Sequence, residues 1–149
     1  MEYNDKENFA RLVSIVKRHL DIWSHQNIKP TEGDMKLSLM SVLFNISPEG
    51  NTNSELSRKS LVFKQAMSRT LKELEEAGMI ISTPINNDKR SNKINLTQEG
   101  KKFVVTSTKK LSKIVEQYVD LVGETDFKTT LKVLSKIIDF HEGLNNEQE

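Results

Sequence analysis

The side chains with the clearest chemical potential are cations and amides at two places in the chain. In "KQAMSRTLKELEE", Lys64, Gln65, Ser68, Arg69 and Lys72 recur at spacings that put them on one side of a helix, opposite Met67, Leu71 and Leu74. In "NNDKRSNKINLTQEG", Lys89, Arg90 and Lys93 crowd a polar stretch between two β-prone runs. A guanidinium can fork onto guanine and a glutamine amide onto adenine, at about 1–3 kcal/mol of discrimination per good pair. Arg69 and Gln65 have that chemistry. Lys59, Ser60, Lys64 and Lys72 suit phosphate oxygens, which position a protein without reading sequence. The solvated face of an ordinary helix accounts for any one of these residues equally well. The whole face, followed at once by a basic hairpin, favours DNA.

Charge distribution points the same way. The chain has 149 residues and a formal net charge of +1. Residues 58–110 hold twelve Lys and Arg against five Asp and Glu, a surplus of seven positive charges, and the remainder holds ten against sixteen. A basic middle between acidic flanks is the footprint of a nucleic-acid-binding module set in a scaffold, although a randomly solvated surface gives similar counts.

Other chemistries find little support. Cysteine is absent, which removes disulfides, thiol catalysis and Cys-ligated zinc. No Ser/His/Asp grouping has a local signature, and no Gly-rich phosphate loop is present, so no catalytic role is expected. His19 and His25 are six apart, on different faces of one helix, and no HxxxH or HxxE pair occurs. No metal or other cofactor is expected. The N-terminal "MEYNDKENFA" carries acids and no apolar run, and no apolar stretch is long enough to span a bilayer. A cytoplasmic location without membrane contact is the default expectation.

The elements that must position these side chains follow from periodicity. Phe9, Leu12, Val13, Val16, Leu20 and Trp23 form one apolar helix stripe, ended by "NIKPTEGD". Asp34 is placed to cap a second helix carrying Leu37, Met40, Leu43 and Phe44. Thr52 and Glu55 have capping-box spacing and open a short helix over about Asn53–Lys59. "SLVF" makes a tight link to a longer helix over about 64–77, with Phe63, Met67, Leu71 and Leu74 as its apolar residues. Gly78 suits a left-handed C-terminal position, with Met79 reaching Leu74 across the cap. Residues 79–83 and 93–97 read as two strands joined by a long tip. Thr97 caps a long helix carrying Phe103, Leu111, Ile114, Val115, Tyr118 and Val122, which Gly123 closes. A last helix carries Phe127, Leu131, Leu134 and Ile138.

Short capped helix, tight link and amphipathic helix make a helix-turn-helix, and the hairpin after it makes a winged helix. The fold class is mainly α with a small β-hairpin wing: a winged helix-turn-helix domain plus a helical dimerisation domain. Expected boundaries are 1–33 for an N-terminal dimerisation helix, 34–100 for the winged helix-turn-helix, and 101–149 for the C-terminal dimerisation helices. Val133, Ile137 and Phe140 lie beside Leu134 and Ile138, so the last helix is apolar on two sides and calls for two partners. Its own core is one, and a second subunit is the other; deep burial within a monomer is less fitting for so small a chain.

"LSRKSLVFKQAMSRTLKELEEAGMI" followed by "NNDKRSNKINLTQEGKKF" resembles the MarR family of bacterial transcription regulators. Asp88-x-Arg90, then Leu96-Thr97 and Gly100, matches that family's wing pattern, and the flanking helices agree in order and length. After "MII", where many relatives carry a basic residue, this chain has Ser82 and Thr83. The resemblance implies a homodimer on a pseudo-palindromic DNA operator. Arg90 would enter the minor groove, with Asp88 as a salt-bridge brace that does not touch DNA. It also implies a regulator, most simply a repressor, that a small-molecule effector releases from DNA. The sole tryptophan, Trp23, then has two readings. One is core or dimer packing; the other is an effector pocket lined by His19, Trp23, Met40 and Phe44, since many members bind aromatic or acidic ligands there. The rival from another class is a winged helix used for protein contact, as an antirepressor or assembly subunit. That rival needs an apolar or acidic recognition face, whereas the residues assigned to this one are polar or cationic.

Overall fold

A computed structural model of the chain describes residues 8–29, 36–85 and 88–146, with only the backbone at 37, 88–91 and 145–146. The order is α1 (Phe9–Asn27), α2 (Leu37–Leu43), β1 (Asn51–Thr52), α3 (Asn53–Lys59), α4 (Lys64–Glu76), β2 (Ile80–Ile85), β3 (Asp88–Leu96), α5 (Gln98–Val122) and α6 (Glu124–Asn146). The chain divides into two compact units, Met1–Thr108 and Lys109–Glu149. None of the described helices is long and apolar enough to cross a membrane.

In the first unit, local signals set most helix ends. Asn8 caps α1 by accepting the Arg11 N–H at 2.9 Å. The described part of α2 begins after Lys36; the expected cap, Asp34, lies outside the described residues. The Thr52–Glu55 capping box forms in both directions, with the Glu55 N–H on Thr52 Oγ1 at 3.2 Å and the Thr52 N–H on Glu55 Oε2 at 2.9 Å. Helix α4 ends in a Schellman turn. Gly78 takes φ +69°, its N–H bonds the Glu75 carbonyl at 2.9 Å, and the Met79 N–H bonds Leu74 at 3.0 Å.

The sheet has three antiparallel strands in the order β1-β3-β2 rather than a bare hairpin. Thr52 and Thr83 both pair with Lys93, on opposite sides of β3. Strand β3 starts at Asp88, so the long tip expected from sequence contracts to residues 86–87, which lie outside the described residues. Pro84 is tolerated because β2 is an edge strand, paired on one side only, and the register shifts just after it.

The core is centred on α2, α3, α4 and the sheet. Leu43, Leu56, Met67, Leu74 and Ile94 are fully buried, and Phe103 reaches in from the first turns of α5. Each such side chain contributes about 1.5–3 kcal/mol of burial. On α4 one residue departs from the sequence reading. Phe63, expected on the buried stripe of α4, is 90% exposed. It is the N-cap residue, with ψ 145°, so it stands outside the helical turn that carries Met67, Leu71 and Leu74 inward.

The second unit comprises the end of α5 and α6. Gly123, at φ +87°, separates the two helices, as its position in the sequence suggests. Among the described residues of this unit none is buried. Phe127, Leu134 and Ile137 are half-buried. Leu131 and Ile138, expected on the same stripe, are exposed, and Phe140 is 62% exposed.

Candidate nucleic-acid interface

The turn between α3 and α4 is held from within. The Ser60 N–H bonds Leu56 at 2.9 Å, the Leu61 N–H bonds Arg58 at 3.2 Å, and the Val62 N–H bonds Ser57 at 3.0 Å. The Ser57 hydroxyl, buried under the turn, donates back to the Val62 carbonyl. These bonds hold Leu61 at φ +53°, a left-handed conformation that costs a non-glycine residue about 1–2 kcal/mol. Leu61 is nonetheless 82% exposed, so packing of its side chain does not offset the strain.

The start of α3 is anchored to the turn after α2. Asn51, buried, accepts the Ser47 N–H at 2.6 Å and donates to Glu55 Oε2 at 3.2 Å. The Thr52 N–H, and then the Asn51 amide, hold the Glu55 carboxyl below its ordinary pKa.

Helix α4 presents the five side chains singled out from sequence. Lys64, Gln65, Ser68, Arg69 and Lys72 are all exposed, while Met67, Leu71 and Leu74 are buried beneath them. Ser68 accepts the Asn53 amide at 2.7 Å and donates to the Lys64 carbonyl at 2.9 Å, so its hydroxyl also links α3 to α4. Lys72 lies 3.9 Å from Glu76, an exposed pair of little energetic weight. Among the described residues, Lys64 and Arg69 have no salt bridge.

The acidic end of α4 is fastened to its neighbours. Glu73 pairs with Lys36 at 3.3 Å, and Glu75 accepts the Ser82 N–H at 2.9 Å, tying the helix to β2. The three glutamates therefore leave the N-terminal half of the exposed face free of carboxylates.

Two expected phosphate ligands have partners within the protein. Lys59 Nζ reaches the Asn45 carbonyl at 3.3 Å and Ser47 Oγ at 3.0 Å, and Ser60 Oγ accepts the Asn45 amide at 3.1 Å. Both fasten the end of α3 to the loop after α2. Lys93 is exposed at the centre of the sheet and borders a cleft of about 360 Å³ shared with Glu49, Thr52, Glu55 and Ile85. Lys89 and Arg90 lie on the first residues of β3. Their side chains, and the Asp88–Arg90 brace, are outside the described residues.

The four candidate effector residues are dispersed in character. His19 is exposed and Trp23 half-buried on α1, Met40 is in the core, and Phe44 is exposed at the C-terminus of α2. Among the described residues no three His, Asp or Glu gather as a metal site.

Residues to which the sequence assigned no positioning role also matter here. Ser57, Asn51 and Glu75 position α3 and α4 through hydrogen bonds. Asn51 stands directly before the capping box and was detectable there; Ser57 and Glu75 act on partners that only the fold brings near.

Residues 35–92 match the MarR family. No curated protein matches the chain by sequence. Among solved structures, a MarR protein from Peptoclostridium difficile superposes with a TM-score of 0.85 at 18% identity, covering 100% of this chain and 96% of that one. Streptococcus pneumoniae FabT in complex with DNA gives 0.79 at 19% identity, covering 94% and 99%. The S. aureus MepR–DNA complex gives 0.75 at 18% identity, covering 89% and 96%. The match to the MarR family thus spans residues 35–92, and the chain as a whole shares the fold of these solved structures.

Proposed function

We propose that this chain is a DNA-binding transcription regulator that acts as a homodimer on a pseudo-palindromic operator, most simply as a repressor. The observation that carries this reading is the exposed face of α4. Lys64, Gln65, Ser68, Arg69 and Lys72 stand outward on a helix whose carboxylates are confined to its far end, and the chain that follows carries Lys89, Arg90 and Lys93 on β3. Two recognition helices would enter major grooves about 34–36 Å apart, and Arg90 of each wing the flanking minor groove. The complexes of FabT and MepR with DNA support the same use of the fold.

Dimerisation is assigned to segments 1–33 and 101–149. Phe9, Leu12, Val13 and Val16 on α1, and Leu131 and Phe140 on α6, are exposed in the single chain and suit burial against a second copy. An effector near His19, Trp23, Met40 and Phe44 would release DNA by changing the spacing of the two DNA-binding domains.

An electrophoretic shift with the duplex upstream of the protein's own gene tests the central reading. Retardation that weakens steeply with salt is expected. Failure to shift that duplex, together with failure to enrich any sequence from a random pool, would overturn it. The protein-contact reading is favoured by one observation, the exposure of Leu61 and Phe63 in the turn that leads into α4.

A further inference from the structure

Phe63 breaks the polar character of the α4 surface at its leading end. Ser, Thr, Asp and Asn are the favoured N-cap residues, and Phe63 supplies no side-chain cap. It adds nothing to the core either, being 90% exposed. Yet the backbone that presents it is tightly determined. The Phe63 carbonyl accepts the Met67 N–H at 2.9 Å, and Ser57 clasps the preceding residue, Val62, through two hydrogen bonds. A bare aromatic ring is therefore held outward at a fixed place, next to Lys64 and close to Gln65.

Charge identifies the occupant. Lys64 and Arg69 are exposed and have no salt bridge among the described residues, so the surface that best complements this end of α4 is anionic and offers something apolar to the ring. The major groove of DNA combines both: phosphates along its rims and the 5-methyl group of thymine on its floor, which phenylalanine can contact. The N-terminal residues of a recognition helix are the ones that reach base edges. We propose that Phe63 is a specificity-determining residue that packs on thymine methyl groups where α4 enters the major groove. This rests on the DNA-binding reading above.

The test uses the full chain and the best duplex from binding-site selection. Each thymine is replaced in turn by deoxyuridine, which lacks only the methyl group. For the wild type, one or two positions in each half-site should weaken binding by about 3–5-fold, the scale of one buried methyl. Phe63→Ala should lose that dependence at those positions and keep the wild-type salt slope. Phe63→Ser supplies a capping hydroxyl, so it should raise the melting temperature and still lose the methyl dependence. A purely structural Phe63 would leave the deoxyuridine profile of both variants unchanged, and that result overturns the proposal. So does a wild type that binds its selected duplex and distinguishes no thymine from deoxyuridine. A wild type that selects no duplex at all is a separate outcome, seen first, and overturns the DNA-binding reading together with this inference.

Discussion

Ser57 and Val62 bind each other twice, carbonyl to N–H and hydroxyl to carbonyl, and so enclose Leu61 in its left-handed conformation. The clasp sits on the axis between α3 and α4, and no other described side chain is bonded to the Val62 carbonyl. Ser57→Ala removes the hydroxyl and leaves that carbonyl without its partner. A loss of about 1–3 kcal/mol is expected, read from the urea midpoint at unchanged m-value. An unshifted midpoint would show that the clasp is not holding the turn.

Gly100 lies where α5 crosses the exit of α4. A Cβ there would stand 2.0 Å from the Met79 carbonyl oxygen. Thr97 locks the same junction, with its N–H on Met79 at 3.0 Å, its hydroxyl on Gly78 at 2.6 Å, and the Gly100 N–H on Thr97 Oγ1 at 3.0 Å. Alanine is normally favoured over glycine in a helix by about 1 kcal/mol. Here the backbone clash should win, and Gly100→Ala should destabilise by about 1–3 kcal/mol. Thermal unfolding decides the sign, and a stabilised variant would contradict the close approach.

Glu55 gives the fold a defined acid sensitivity. Its folded-state pKa is depressed, chiefly by the Thr52 N–H and next by the Asn51 amide. A depressed carboxylate contributes stability above its unfolded pKa and loses it as pH falls through the folded value. Glu55→Gln should therefore melt below the wild type at neutral pH, with the gap closing as the pH drops below the ordinary carboxylate range. Melting temperatures of both proteins across that range check this, and a gap independent of pH would count against it.

Arg69 and Arg90 should fail differently. For Arg69→Ala we expect relaxed preference at one operator position, because a base-edge contact is lost. For Arg90→Ala we expect weaker binding to every duplex with a shallower salt dependence. Site selection and a salt titration separate the two, and identical selected motifs for Arg69→Ala and wild type would remove Arg69 from base reading.

The exposed apolar residues of α6 carry the prediction on assembly. Leu131→Glu combined with Phe140→Asp replaces two exposed side chains of the second unit by charges. Sedimentation should show a dimeric wild type and a monomeric variant with weakened operator binding. A variant that still sediments as a dimer would move the interface away from α6.

Much of the fold was legible because its signals are local. The Thr52–Glu55 box, the Gly78 turn, the Thr97 cap and the Gly123 break each satisfy backbone groups within a few residues of the signal. The face of α4 was legible for a similar reason, since helical periodicity alone separates Met67, Leu71 and Leu74 from Lys64, Gln65 and Arg69. Strand β1 was not legible, because two residues have no periodicity and their partners lie more than forty positions away. The roles of Lys59 and Ser60 were hidden likewise, because their partners, Asn45 and Ser47, arrive from another element.

Taken alone, the amino-acid order determined the helices, the caps at Thr52, Gly78 and Thr97, and the polar face that α4 turns outward, because those depend on bonds and spacings within a turn or two of helix. Tertiary structure decided which apolar residues stay outside. Phe63 and Met67 look alike in a hydrophobic pattern, yet one is fully buried and the other bare. Burial depends on what packs from the other side, and at Phe63 nothing described in this chain does.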